Sequence, residues 1–178
     1  MMIRAFLYCQ ATTLLKVSLA GMAFYTSAAM ADTKVEFSGT LVADPCLVET
    51  DSQEQTVELR AIPARTFMDE IQSAPETFHI QLKECDLSLG SQVSVTFSGE
   101  KDSVDPSLFE VHGSARGIAL AIEDSDGRAV APDDEQHPVS LSQDDTTLTW
   151  RVRTQSTSGG NVGEGEFSAV VIFSLRYE

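Results

Sequence analysis

The chain has 178 residues, of which 42% are hydrophobic, enough for one domain with a core of its own. Its 12 Lys and Arg face 27 Asp and Glu, a net charge of −15 at pH 7, which excludes nucleic acid and anionic membrane surfaces as natural partners and favours solubility.

The first 31 residues, MMIRAFLYCQATTLLKVSLAGMAFYTSAAMA, carry Arg4 near the start, an apolar stretch from Val17 to Tyr25, and small residues at Ala29 and Ala31. This is the pattern of a secretory signal peptide cleaved after Ala31. A membrane anchor fits less well, because the apolar run is far shorter than about 20 residues and follows Lys16. Removal takes Arg4 and Lys16 from the 12 basic residues and no acidic ones, so the remainder holds 10 against 27, a net −17. It also removes Cys9, which leaves Cys46 and Cys85. Two cysteines in an exported chain default to a structural disulfide, worth about 4 kcal/mol in the chain-entropy model. A metal or redox pair would call for the close C-x-x-C spacing that is missing here.

Short alternating runs follow one another down the mature chain. Residues 33–43 (TKVEFSGTLVA) place Val35, Phe37, Gly39 and Leu41 on one side of an extended segment. A helical period is weak everywhere except ARTFMDEI, where Phe67, Met68 and Ile71 are expected to share a face. Phe78, Ile80 and Leu82 lead into Cys85; Val93, Val95 and Phe97 end at Ser98-Gly99; Ile118, Leu120 and Ile122 precede Asp126-Gly127, a favoured hairpin pair. Leu141 and then Leu148, Trp150 and Val152 come before SGGNVGEG, which reads as the turn into a last strand. That strand alternates from Phe167 through Ala169, Val171, Phe173 and Leu175 to Tyr177, followed by Glu178. Many short strands between turn signals predict an all-β sandwich or barrel. An edge strand so apolar calls for a cover.

Sites for chemistry are not expected. His79, His112 and His137 are scattered without a second ligand at metal spacing. EDSDG (Glu123–Gly127) lacks the remaining ligands of a calcium loop and reads as turn chemistry, and PDDEQ reads as a solvated loop. The glycines of SGGNVGEG lack the strand-then-helix context of a phosphate loop, and no nucleophile elbow is present. Neither enzyme activity, nor a cofactor, nor a metal is expected.

FSGTLVADPC, FHIQLKEC, VTFSG and GEFSAVVIFSLRYE, taken in order, resemble the pilin domain of fimbrial subunits of the bacterial chaperone-usher pathway, the type 1 fimbrial protein family. The most specific element is the ending, with Gly165 ahead of the alternating residues and a penultimate Tyr177. The resemblance implies an incomplete immunoglobulin-like β-sandwich that lacks its final strand and is completed by a donor strand from a partner. It divides the chain into a signal peptide (1–31), an N-terminal donor-strand extension (32–44) and a pilin domain (45–178). Val35, Phe37, Gly39 and Leu41 are then the donor strand, Gly39 marking a point where the groove has no room for a side chain. Gly165, Phe167, Ala169, Val171, Phe173, Leu175, Tyr177 and Glu178 are the groove and chaperone-contact strand, with the Glu178 carboxylate anchored in a basic chaperone cleft. Implied partners are a periplasmic pilus chaperone, an outer-membrane usher and neighbouring fimbrial subunits, with export through the periplasm to a surface fimbrium that supports cell adhesion. A minor or adaptor position is expected, since nothing in the sequence marks an abundant repeating subunit. The rival reading is a secreted, self-complete sandwich that binds a glycan or protein through its loops, with residues 33–43 as its own first strand.

Overall fold

A computed structural model describes residues 34–178. The expected signal peptide, residues 1–31, lies outside the described residues, as do Asp32 and Thr33. Leu41–Glu178 form one unit. Along it run β1 (Leu47–Val48), α1 (Thr50–Gln53), α2 (Thr66–Asp69), β2 (Glu76–Cys85), β3 (Gln92–Ser98), β4 (His112–Gly113), β5 (Ile118–Asp124), β6 (Ala129–Val130), β7 (Val139–Ser140), β8 (Asp144–Ser156), β9 (Phe167–Ser168) and β10 (Ile172–Tyr177).

Three antiparallel sheets result, ordered β1-β2-β8-β5-β6, β10-β3-β7 and β4-β9. The long central pair sets the frame. In β8 the alternation TTLTWRVRTQS turns Leu148, Trp150 and Val152 inward and leaves Thr147, Thr149, Arg151 and Arg153 on the outer face. Its partner β2 supplies Ile80 and Leu82 in register, Ile80 opposite Leu148 and Phe78 opposite Trp150. Across the sandwich β3 contributes Val93, Val95 and Phe97, all buried. Phe97 meets Trp150 edge-on with centroids 5.1 Å apart, while Phe78 stacks on the same indole at 5.8 Å. The indole N–H donates to Gln136 Oε1 at 2.8 Å, so the one polar atom of this aromatic cluster is satisfied.

The disulfide joins Cys46 to Cys85, with Cα atoms 4.2 Å apart. It ties the residue before β1 to the last residue of β2, where the register shifts and Glu84 takes φ 52°. At the β5–β6 hairpin Asp124 Oδ1 accepts the N–H groups of Asp126 (2.9 Å) and Arg128 (2.8 Å), and Gly127 supplies φ 84°. EDSDG is turn chemistry, as its sequence indicates.

Two local expectations change and a third gains detail. ARTFMDEI yields only the one-turn α2, in which Phe67 is buried while Met68 and Ile71 are 78% and 68% exposed, because a single turn presents one residue to the core. PDDEQ keeps Asp133, Asp134 and Glu135 in solvent as expected, and it is also laced to β3: Asp133 and Gln136 donate their N–H groups to Phe97 O (2.8 Å) and Val95 O (3.0 Å). The last strand is split at residues 169–171 into β9, paired with β4, and β10, paired with β3.

Candidate functional site: a half-covered apolar face

The face of β10 is built by period-two alternation. Phe173, Leu175 and Tyr177 point inward opposite Phe97, Val95 and Val93 of β3. Cross-strand neighbours on one face of a finished sandwich should be buried alike. Here they are not: Val93, Val95 and Phe97 are 0%, 2% and 3% exposed, whereas their β10 partners are half-buried. Phe167, Ala169 and Val171 continue the half-buried row. The other side of β3 is closed by β7 and the 133–136 loop, but β10 has no second neighbour among the described residues.

A second unpaired length of chain faces the same core. Residues 54–62 make no backbone hydrogen bond among the described residues, although Val57 and Leu59 are half-buried against the core cluster. The segment is held by side chains alone, Gln55 Nε2 donating to His79 O at 3.0 Å and Arg60 pairing with Glu76 at 3.3 Å. Between it and β2 lies an open cleft of about 540 Å³ with Glu49, Asp51, Glu58 and Glu76 on its walls. Two segments with free backbone edges among the described residues and apolar side chains against one core suit the addition of a strand. This wall at 54–62 is absent from the sequence expectations, though the spacing of Val57 and Leu59 carries its signal.

At one end of the face, Ser91 and Gln92 donate N–H groups to the backbone oxygen of Glu178 at 2.7 and 3.1 Å. The Tyr177 hydroxyl is buried with no hydrogen-bond partner among the described residues. Burial pushes its pKa up, and the charge of Asp44 adds to the shift. At the other end Gly165 is required by close approach: a Cβ there would stand 2.4 Å from the backbone nitrogen of Ala115.

Residues 34–43 carry no helix or strand, so they are not a first strand of the chain's own sandwich in the described structure. Val35, Phe37 and Leu41 are 66%, 93% and 100% exposed, and a Cβ on Gly39 would meet nothing within 4 Å. His79 Nδ1 lies 2.9 Å from Thr149 Oγ1 and His112 Nε2 3.0 Å from Glu100, and no three metal-ligating side chains converge among the described residues.

A family model described as "Fimbrial protein" matches residues 35–178. The chain belongs to the fimbrial protein family. Among its relatives, Fimbria A protein of Serratia marcescens is 32% identical over 146 residues, covering 82% of this chain and 84% of that protein. PRS fimbrial major pilin protein of Escherichia coli is 32% identical over 154 residues, covering 82% and 94% respectively. Among solved structures, the P pilus rod subunit PapA superposes with a TM-score of 0.68 at 23% identity, covering 76% of this chain and 100% of that one. The fold is therefore the incomplete immunoglobulin-like sandwich of pilins. This fimbrial protein is a structural subunit of a surface fimbria, not an enzyme.

Proposed function

We propose that this fimbrial subunit polymerises by donor-strand exchange. Residues 45–178 form the acceptor domain, and residues 32–44 form an extension that enters a neighbouring subunit. A periplasmic chaperone fills the groove first, meeting Phe167, Ala169, Val171, Phe173, Leu175 and Tyr177, and an outer-membrane usher then hands the subunit to the fibre that supports adhesion. The observation that supports this most is the mismatch across β10 and β3, half-buried residues directly opposite fully buried ones. A self-complete binding module would bury both rows. The relative named as a major pilin favours a repeating subunit over the minor or adaptor position expected from the sequence.

The groove can repay an incoming strand. Burial of Val35, Phe37 and Leu41 is worth roughly 1.5 to 3 kcal/mol each before ordering costs, and the ladder satisfies edge groups on both walls. The test adds a synthetic peptide of residues 32–43 to the purified mature chain. A concentration-dependent rise in Tm is expected, absent with a peptide carrying Phe37→Asp. Equal behaviour of the two peptides would sink the reading.

A further inference from the structure

Given donor-strand exchange, we infer that charges on the outer side of the extension and of β10 select a second copy of this same chain, inserted antiparallel to β10 in one register.

Val35, Phe37, Gly39 and Leu41 must face inward like the odd-numbered residues of β10, so registers differ only by steps of two. With Val35 opposite Tyr177, the outward residues pair as Lys34 with Glu178, Glu36 with Arg176, and Val42 with Val170. Both charge pairs are attractive. The two valines, 75% and 81% exposed in the free chain, cover each other. Inside, Gly39 lands opposite Phe173, small against large. A slip of two residues one way sets Lys34 against Arg176; a slip the other way sets Glu36 against Glu178. Each neighbouring register opposes like charges.

The free chain already holds both halves of this quartet. Lys34 pairs with Glu36 in the extension, and Arg176 pairs with Glu178 at 2.8 Å in β10, each two residues apart on one face, while the Nε of Arg176 also meets Glu135 at 2.6 Å. Laid antiparallel, the two couples exchange partners. Laid parallel with Gly39 still opposite Phe173, they do not: Val42 falls beside Arg176 and Lys34 beside Ser168.

Direction also decides who can donate. Pro45, the root of the extension, lies at the Glu178 end of β10, since a Cβ on Gly90 would stand 2.9 Å from Pro45 Cγ and 3.3 Å from Glu178 O. In the antiparallel register Ala43 must lie opposite Ala169, eight residues from Tyr177 and thus about 26 Å away at 3.3 Å per residue. Asp44 alone cannot span that distance. A chain's own extension can enter only in the parallel sense, where the charges do not match. The charge pattern thus favours joining over self-closure.

Cysteine pairs read the register directly in the full chain, expressed with its export signal and assembled. Thr40→Cys with Ile172→Cys should give a subunit ladder that survives boiling in SDS without reductant. Thr40→Cys with Ser174→Cys, or with Val170→Cys, should give none. Arg176→Glu alone should lower the yield of joined subunits about three- to tenfold, and adding Glu36→Arg should restore it. A ladder from a shifted pair, no ladder from any pair although unboiled joints form, a crosslink within monomers, or failure of the charge swap to rescue would each overturn the inference. If the cysteine-free parent itself forms no joints, donor-strand exchange fails and not merely its register.

Discussion

Phe37→Ala separates an extension that serves a neighbour from one that serves its own domain. Phe37 is 93% exposed in the free chain, so truncation removes no internal contact there, and the effect on the chain's own stability should fall within about 0.5 kcal/mol. For a domain of this size that is a Tm change of about 2 °C or less. Seated in a groove, the same ring is a core residue, and Phe to Ala in a core costs about 3 to 5 kcal/mol. At 1.4 kcal/mol per decade the joint should open about 140- to 3,700-fold faster. Phe37→Asp should abolish the joint, because it buries an unpaired charge. The assay pairs thermal unfolding of the monomeric mature chain with the dissociation rate of SDS-resistant fibre joints, followed on unboiled gels at increasing temperature. A monomer that loses 10 °C while its joints keep their lifetime would refute the reasoning, since the phenylalanine would then belong to its own domain.

Cys85→Ala should lower stability by about 4 kcal/mol on the entropic account, seen as a Tm drop and faster periplasmic proteolysis, with the same loss on reduction of the native protein. Tyr177→Phe should leave Tm unchanged or slightly higher at neutral pH, because it removes a buried hydroxyl without a partner among the described residues. The same variant should lose less stability in alkali. The folded-state pKa of Tyr177 is raised above 10.0, so its contribution is complete below about pH 10 and disappears as pH rises, when the unfolded chain loses the proton first. Tm measured from about pH 9 to 11 should fall more steeply for the native chain than for the variant, and parallel curves would reject this account.

Much of the sandwich was legible in the sequence because a strand advertises itself locally. Alternation in FHIQLKEC, VSVTFSG and TLTWRV names both the strand and its inner face, since the pleat itself has a period of two. The two cysteines left after the expected cleavage allowed one pairing, and Cys46 and Cys85 form it. Family motifs drew the eye to Val35–Leu41 and Phe167–Tyr177. Other features depend on what packs where. Met68 and Ile71 have the spacing of a buried face, yet only Phe67 reaches the core, because α2 is a single turn and presents one residue inward. The alternation from Phe167 to Tyr177 runs unbroken in the sequence, yet the chain divides it between two partner strands, β4 and β3. The half-exposure of Phe173, Leu175 and Tyr177 against buried β3 neighbours could not be read from their letters at all. Period-two patterning records which side of a strand is apolar, which is a property of the strand alone. Whether that side is covered is a property of the whole arrangement, set by the unpaired edges of β10 and of residues 54–62 among the described residues.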